Sequence, residues 1–341
     1  MSNKDKLKAL QGIASGVFKG KMGTATGVNY WLDTGFLPLN EAISSNYDDG
    51  VPSQRIIEIF GAESCGKTAI ATSVMMSAQK QGGLALFMDH ERSFMPHLAE
   101  KAGLAIDDGT FIHATPKTFE ESLDMVVEFG DKVRENKIIP DEAPIVVVLD
   151  SLAAMVPKSK LAKSNAEQGM HDTTALARAC SSAFPALQQF ATDYNMCIVV
   201  LNQTRENIGV MFGDNTTTPG GNAKNFYYSV RIGLTRKMVK DKDKNVIGQD
   251  ITAKVIKNKV AAPFKQCSWR FSFRDDGTGF LDSLHSSIEY LIERGDLETS
   301  GAYVIYNGKK IYKTQLTDKI REAGQEDVIY NMIRKPKSSA A

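Results

Sequence analysis

One short segment, GAESCGKT at residues 61–68, constrains the fold more than any other part of the chain. It follows an apolar run that predicts a strand and precedes a run that predicts a helix, which is the setting in which G-x-x-x-x-G-K-[ST] binds phosphates. Glycine at positions 61 and 66 lets the backbone wrap phosphate oxygens with its N–H groups. The segment therefore predicts an α/β fold with a site for a nucleoside triphosphate.

The side chains of this segment have the chemistry that nucleotide binding needs. We expect Lys67 to reach the β- and γ-phosphates and the hydroxyl of Thr68 to hold Mg²⁺. The helix that begins near Lys67 adds the positive end of its dipole. The predicted nucleotide contacts are Gly61, Ala62, Glu63, Ser64, Cys65, Gly66, Lys67, Thr68, Ala69 and, on a later strand, Asp150.

Apolar strands alternate with helices from about residue 55 onward. Strands are predicted over 55–61, 83–89, 143–151 and 196–203, and helices over 67–81, 118–135 and 175–194. Strands this apolar are buried on both faces, as in a parallel sheet covered by helices. After residue 222 the pattern predicts antiparallel strands joined at KDKDKN, then a helix over 283–298 and a small module over 299–335 with one hairpin and two helices.

Acidic residues end two of these strands. Asp150 ends the strand IVVVLD, where a carboxylate orients water bound to Mg²⁺ in many nucleotide-hydrolysing proteins. The strand over 83–89 runs into MDHER, so Asp89, His90 and Glu91 are candidates for the group that polarises an attacking water. From the residues alone, that role and an ordinary set of solvated loop charges stay equally open.

Composition narrows the class of protein further. The net charge is +1, so a polyanionic partner must be recognised by local charge, and ten basic and three acidic residues between Arg231 and Lys265 give such a surface. The four cysteines lie far apart without a CxxC pair, which predicts reduced thiols and a cytoplasmic protein. No apolar run reaches about 18 residues, so we expect no membrane span.

The N-terminal segment carries a stripe of apolar residues at helical spacing: Leu7, Leu10, Ile13 and Val17. Such a helix packs either on its own domain or on a neighbouring subunit. The sequence leaves both open.

Six stretches, taken in order, resemble the RecA family of DNA recombinases: GAESCGKT, LFMDHE, VVVLDSLAAMVPK, LNQTRENIGVMFG, TTTPGGNAKNFYYSVR and KVIKNKVAAPFKQ. The resemblance covers roughly residues 30–330 and is greatest to the bacterial type. It implies a P-loop ATPase core with a twisted, mostly parallel sheet flanked by helices. The domains implied are an N-terminal arm over 1–30, the core over 31–275, a small α+β C-terminal domain over 276–335 and a disordered tail over 336–341.

The resemblance also implies an activity. Members of the family assemble as helical filaments on single-stranded DNA, bind ATP and Mg²⁺ between subunits, and hydrolyse ATP in a DNA-dependent way. The filament pairs with a homologous duplex and exchanges strands, which is the chemistry of homologous recombination.

Several residues take roles by matching the family pattern. Glu91 matches the residue that activates water, and Gln203 matches the sensor of the γ-phosphate. Lys257 and Lys259 match a lysine pair that reaches the ATP of a neighbouring subunit. Two further residues match subunit-interface positions, namely Phe226 and Arg231.

Two polar stretches, at about 157–173 and 204–222, match the family's DNA-binding loops. Backbone N–H groups and threonine hydroxyls hold phosphates, while apolar tips such as Met211 and Phe212 wedge between bases. Core packing is the alternative for those two residues. The predicted DNA contacts are Met170, Arg205, Ile208, Gly209, Met211, Phe212, Thr217, Thr218, Gly220 and Gly221.

The chain departs from the family pattern at three places. Leu98 stands where members often carry an aromatic residue that stacks on adenine, and Glu206 with Asn207 stands where a more apolar or basic pair is usual. RKPKSSAA replaces the acidic tail of many bacterial members. We expect altered base selectivity, altered DNA affinity and weaker restraint of duplex entry.

Three other functions share parts of this pattern. A ring-forming helicase on the same core usually adds a distinct N-terminal domain, and only 60 residues precede the glycine loop. A non-hydrolysing DNA-coating factor would not need Lys67, Thr68, Glu91 and Asp150 together. A small-molecule kinase leaves the two long loops unexplained.

Overall fold

The computed structural model describes residues 2, 4–6, 8–9, 12–13, 27–28, 30–162, 174–206, 216–274 and 278–335. Their strands, in chain order, are β1 Trp31–Leu32, β2 Val51–Pro52, β3 Arg55–Gly61, β4 Leu84–Asp89, β5 Phe111–Ala114, β6 Ile145–Asp150, β7 Met196–Gln203, β8 Arg205–Glu206, β9 Thr216–Thr217, β10 Val230–Lys240, β11 Val246–Asn258, β12 Gln266–Phe273, β13 Gly279–Leu281, β14 Thr299–Ser300, β15 Tyr303–Tyr306 and β16 Lys309–Tyr312. Their α-helices are Leu37–Ser44, Lys67–Lys80, Pro96–Lys101, Phe119–Glu135, Lys158–Leu161, Ala175–Asp193, Lys224–Tyr227, Ser283–Arg294, Lys313–Glu322 and Glu326–Arg334.

A nine-stranded sheet organises the core, in the order β13-β12-β11-β10-β3-β7-β6-β4-β5. The strands from β10 to β5 run parallel, and β10 to β13 pair antiparallel. This arrangement confirms the predicted mostly parallel sheet. The carboxyl ends of β3, β4, β6 and β7 therefore meet at one edge, where open α/β sheets bind their ligands.

Burial on both faces explains why the central strands read as continuous apolar runs. All six residues of β6 are buried, and separate apolar clusters lie on the two sides of the sheet. Each fully buried valine or isoleucine stabilises the fold by roughly 1.5–3 kcal/mol relative to exposure. Helices cover both clusters, including Ala175–Asp193, which accommodates Pro185 in its interior.

A smaller module follows the sheet and has its own apolar cluster. Its three-stranded sheet has the order β14-β15-β16, and the hairpin turns at Asn307 and Gly308, both at positive φ. Arg294 joins the module to the core because its guanidinium donates to Tyr47 Oη at 2.9 Å and to Ile333 O at 2.7 Å. The core sheet ends with β13, beyond the predicted core boundary at residue 275.

One sequence-based expectation is wrong, two elements were not predicted, and the N-terminal stripe stays a prediction. The segment Lys224–Tyr227 is a helical turn rather than part of a strand, and β10 begins only at Val230. The edge strand Phe111–Ala114 and the helix Leu37–Ser44 were not predicted. Of the N-terminal apolar stripe, only Ile13 lies within the described residues, and its side chain is exposed.

No helix within the described ranges is long and apolar enough to cross a membrane.

Candidate nucleotide-binding site

The glycine loop connects β3 to the helix Lys67–Lys80. Gly66 has φ +85°, a left-handed conformation that glycine adopts without strain, and a Cβ at Gly61 would lie 2.5 Å from Leu234 O. Gln249 Nε2 fixes the middle of the loop by donating to Ser64 O at 2.8 Å. Both glycines of the predicted motif are therefore required by the backbone path itself.

The side chain of Lys67 folds back onto the glycine loop. Its Nζ donates to Ala62 O at 2.7 Å and to Gly61 O at 3.1 Å. These neutral carbonyls hold the ammonium at the mouth of the loop, and a phosphate is a stronger partner because it carries full negative charge. The expected contact of Lys67 with the β- and γ-phosphates stays a prediction.

Thr68 and Asp150 meet at the carboxyl edge of the sheet, as the magnesium assignment requires. Thr68 Oγ1 donates to Asp150 Oδ2 at 3.4 Å, and Asp150 is 6% exposed. Burial, followed by the charges of Glu91 and Asp89, raises the pKa of Asp150 to about 7. Crowded carboxylates beside a hydroxyl fit a hard divalent cation, which would relieve this repulsion.

Of the three candidates for activating water, Glu91 is the one whose side chain contacts the end of β7. Its Oε1 accepts hydrogen bonds from Ser151 Oγ and from Gln203 Nε2, the latter at 3.1 Å. His90 N and Glu91 N both donate to Asp150 O, which binds this turn to the end of β6. The carboxylate is therefore positioned between the ends of β4, β6 and β7.

Asp89 and His90 have other partners. Asp89 is buried, with 1% of its surface exposed. Its carboxylate accepts hydrogen bonds from Phe94 N at 3.1 Å and from Ser93 N at 3.3 Å. One carboxylate oxygen also lies 3.4 Å from His113 Nε2. His90 Nε2 lies 2.6 Å from the buried Ser122 Oγ. Asp89 thus shapes the turn after Glu91, a role that the sequence did not reveal because a strand-end aspartate also suits a solvated loop.

Lys257 and Lys259 lie side by side at the end of β11. Lys257 Nζ donates to Asn225 O and Phe226 O, and Lys259 Nζ donates to Phe226 O at 2.7 Å. Burial, then the charges of Lys259 and Arg231, lowers the pKa of Lys257 to about 8. The Phe226 side chain is 75% exposed, so the lysine pair adjoins a solvent-facing aromatic residue.

A buried ionic cluster lies behind these residues. Glu58 is fully buried. Its carboxylate accepts hydrogen bonds from Arg231 Nε at 2.6 Å and from Asn202 Nδ2 at 2.9 Å. The ammonium of Lys224 lies 3.7 Å from the same carboxylate. Arg231, predicted at a subunit interface, is therefore engaged within the subunit. The sequence carried one signal for this cluster, a glutamate in the middle of the apolar strand RIIEIFG.

The second predicted DNA loop leaves the sheet next to Gln203. β8 follows after one residue and pairs with β9, with Arg205 opposite Thr217. Five predicted DNA contacts lie outside the described residues: Met170, Ile208, Gly209, Met211 and Phe212.

The far end of that loop packs inside the subunit. Thr218 is buried, and its hydroxyl accepts from Lys224 Nζ at 2.8 Å, so its predicted DNA contact would require that bond to break. Gly220 and Gly221 have φ of +96° and +74°, and a Cβ on either would crowd Leu152 or Ala177. Their glycine identity has a structural reason independent of DNA.

A cavity of about 720 Å³ adjoins the phosphate loop. Its lining includes Gly66, Thr68 and Asp150, together with Leu98 and residues of β12 and β13. The volume lies within the usual range of ligand sites.

These elements define a class: an α/β phosphate-loop fold in which strand ends gather a glycine loop, a buried aspartate and a glutamate. The family model for the RecA N-terminal domain matches residues 18–277. The chain belongs to the RecA family.

Curated relatives agree over most of the chain. It is 38% identical over 296 residues to Protein RecA of Thioalkalivibrio sulfidiphilus, covering 85% of this chain and 79% of the relative. It is 39% identical over 284 residues to Protein RecA of Teredinibacter turnerae, covering 82% and 76%. Protein RecA of Rhodospirillum rubrum is 37% identical over 281 residues, covering 82% and 71%.

Proposed function

We propose that this protein is an ATP-dependent DNA recombinase of the cytoplasm. It assembles as a helical filament on single-stranded DNA, pairs that strand with a homologous duplex, exchanges strands and hydrolyses ATP when DNA is bound. The observation that carries the proposal is the bond between Gln203 and Glu91, because it joins the phosphate site to the strand that leads directly into the second loop.

The positions of the chain's own residues support the following proposed roles. The loop N–H groups and Lys67 would hold the β- and γ-phosphates, while Thr68 and Asp150 would hold Mg²⁺. The bound cation would neutralise charge that develops on the transferred phosphoryl group. Glu91 orients the attacking water and accepts its proton.

Gln203 connects this chemistry to DNA. Its amide reaches Glu91, and its backbone continues through one residue into β8. A γ-phosphate that attracts the Gln203 amide would shift the start of β8, which pairs with β9 at the other end of the loop. Binding of triphosphate would thereby be transmitted to the paired ends of the second loop, β8 and β9.

Lys257 and Lys259 supply positive charge to the ATP of a neighbouring subunit. Their ammonium groups are held by carbonyls beside the exposed Phe226. A cation positioned at the γ-phosphate stabilises the transition state in the way of an arginine finger. Hydrolysis then depends on assembly, since one subunit lacks part of the site.

Electron microscopy tests this proposal when combined with fluorescence anisotropy of labelled single strands. We expect helical filaments and tight DNA binding with ATP or a non-hydrolysable analogue, but not with ADP or with Lys67→Ala. Binding should fall steeply with salt, because phosphate contacts release counterions. Closed rings, or equal DNA affinity with and without triphosphate, would contradict the proposal.

A further inference from the structure

The far end of the second loop is tied to the sheet at Thr218. The chain leaves the loop through β9, and the next residue, Thr218, is buried. Its hydroxyl accepts hydrogen bonds from Lys224 Nζ at 2.8 Å and from Arg231 Nη2 at 3.4 Å. Pro219 O accepts another from Asn202 Nδ2 at 3.1 Å. These contacts lie at the end of the loop opposite to β8, so they form a second connection between the loop and the sheet.

One buried carboxylate holds the three donors in place. Glu58 lies at the centre of β3, between Asn202 on β7 and Arg231, its register partner on β10. Both residues donate to it, and the Lys224 ammonium lies 3.7 Å away. Removing one partner from a buried ionic cluster leaves a charge uncompensated, which costs far more than losing an exposed pair. The cluster is therefore a fixed point to which the end of the loop is attached.

Lys224 is the member of this cluster that joins two separate segments. Its side chain is fully buried, although an ammonium is costly to bury and an aliphatic side chain of the same length would fill the space. The ammonium donates to Thr218 and also to Asn225 Oδ1 at 3.1 Å. Lys224 itself begins the helical turn Lys224–Tyr227. Its position thus fixes the end of the loop relative to that turn.

The same turn holds the lysine pair proposed to act on a neighbour's ATP. Lys257 Nζ donates to Asn225 O and Phe226 O, and Lys259 Nζ donates to Phe226 O. A movement of the loop end that displaces the Lys224 ammonium would shift this turn, and with it the carbonyls that hold both lysines. The far end of the loop and the lysine pair are therefore joined by one chain of contacts within the subunit.

We propose that Lys224, held by Glu58, is a positioning residue that couples DNA binding by the second loop to the lysine pair at the subunit interface. Because it is buried, Lys224 acts through Thr218 and through its helical turn rather than by touching nucleotide or DNA. This route is separate from the contact of Gln203 with Glu91 near the loop's other end. Lys224 takes this role only if the second loop binds DNA and the lysine pair acts in trans, as the proposed function requires.

Lys224→Met tests this role because it keeps the length and apolar stem of the side chain and removes the ammonium. Without DNA, no filament places the lysine pair at a neighbour's ATP, so DNA-free turnover should equal that of the wild type. At saturating single-stranded DNA, turnover should fall by roughly 3- to 30-fold, the scale on which single residues alter coupling between sites. Thr218→Val removes the hydroxyl and keeps the shape, so it should produce a similar loss. The double variant should be no worse than either single variant, because both changes break the same contact.

Mixed filaments identify the side of the interface on which Lys224 acts. Lys224→Met leaves Glu91 intact, so mixing it with Glu91→Gln should create interfaces that join a working Glu91 to well-placed lysines. Turnover of that mixture should exceed the average of the two separate proteins. Mixing Lys224→Met with Lys257→Ala/Lys259→Ala should give no such gain, because both proteins are defective on the same side. A residue that only stabilised the fold would give no gain in either mixture.

Arg134→Met is the matched control for a general loss of stability. Arg134 Nη2 donates to Tyr194 O at 2.6 Å and to Ala143 O at 2.8 Å, close to where β7 and β6 begin and thus at the opposite edge of the sheet from the second loop. This variant should lower the melting temperature, yet keep wild-type turnover on DNA. Thermal melting, ATP titration and DNA anisotropy accompany each turnover measurement, so that every variant is compared when folded, nucleotide-bound and DNA-bound.

Several outcomes would overturn this inference alone. They are wild-type turnover on DNA of folded Lys224→Met or Thr218→Val, a double variant whose loss is the product of the single losses, and a mixture with Glu91→Gln that shows no gain. Loss of DNA binding by Lys224→Met would also contradict it, because the lysine would then serve DNA binding itself. If Lys224→Met does not melt cooperatively, Thr218→Val decides in the same assays and mixtures.

Two other outcomes would instead overturn the proposed function on which this role rests. One is a wild-type protein whose ATP turnover DNA does not stimulate. The other is a set of Glu91→Gln and Lys257→Ala/Lys259→Ala filaments that co-assemble without restoring turnover.

Discussion

Gln203 Nε2 donates a hydrogen bond to Glu91 Oε1 across a separation of 3.1 Å, although the two residues are 112 positions apart in the chain. Glu91 follows β4, and Gln203 ends β7 immediately before the second loop. The group proposed to activate water is thus already in contact with the residue proposed to report on the γ-phosphate. This contact makes the coupling of hydrolysis to DNA testable with single substitutions.

Gln203→Glu keeps the side-chain length but replaces the amide donor with a carboxylate that repels Glu91. We expect ATP to bind through Lys67, while the difference in DNA affinity between ATP and ADP is lost. Anisotropy titrations with each nucleotide measure that difference. Gln188→Ala is the control, because Gln188 donates a hydrogen bond to Gln54 O away from the nucleotide site. This variant should keep the full difference in DNA affinity between ATP and ADP. A Gln203→Glu protein that still distinguishes ATP from ADP would argue against the coupling.

Lys257 and Lys259 are expected to act on a neighbour's ATP. A Lys257→Ala/Lys259→Ala protein and a Glu91→Gln protein should each lack DNA-dependent turnover. Mixed filaments would contain some interfaces that join an intact Glu91 to intact lysines, so mixing should restore part of the ATPase. Mixtures that co-assemble by light scattering yet stay as inactive as either parent would show that the lysines do not act in trans.

Lys257 should titrate near neutral pH in the free protein. Burial and the charges of Lys259 and Arg231 lower its pKa from 10.5 to about 8, so its cation is complete below that pH and is lost as pH rises through it. An NMR titration of the lysine side chains measures the midpoint, with Lys257→Arg assigning the signal. Lys259→Gln should raise the midpoint, because it removes a like charge. A midpoint at the ordinary lysine value would refute this electrostatic account.

Phe226 should matter for assembly more than for folding. Its side chain is 75% exposed, so Phe226→Ala should change the free energy of unfolding by no more than about 0.5 kcal/mol. An aromatic residue at the centre of an interface contributes about 2 kcal/mol or more to association. Light scattering of filaments and thermal melting compare the two effects. Ile138→Ala, at a residue that is 64% exposed, serves as the control. A large drop in melting temperature accompanying the loss of assembly would show that Phe226 stabilises the fold of the single chain.

The central strands and the phosphate loop were predictable because their signals are local. Burial on both faces produces runs such as IVVVLD, and the glycine loop has a fixed spacing. The edge strand Phe111–Ala114 gave no such signal, since it is four residues long and only partly buried. The segment Lys224–Tyr227 was predicted as part of a strand because it continues an alternating pattern. Its helical turn goes with contacts of Lys224 to Glu58 and Thr218, which lie far away or on another element and leave no local signal in the sequence.

The contacts within the site depended on strands that are distant in sequence. Nothing near Glu91 in the chain predicts Ser151 or Gln203 as its partners, because the sheet brings those residues together. The same holds for Asp89 with His113 and for Arg231 with Glu58. The sequence alone was enough to predict which residue types belong to the site. Which of them contact each other depends on the order of the strands in the sheet, which the sequence did not reveal.

Glu91 is proposed to activate water for ATP hydrolysis when the protein is assembled on DNA. Glu91→Gln keeps the shape of the side chain and removes its basicity, while Lys67 and Thr68 still bind nucleotide. Steady-state ATP turnover at saturating single-stranded DNA should therefore fall by roughly 10²- to 10⁴-fold, the range for a lost general base. Filaments should still form with ATP, and Glu100→Gln, at an exposed glutamate, should behave as the wild type. Wild-type turnover in Glu91→Gln filaments would contradict the account.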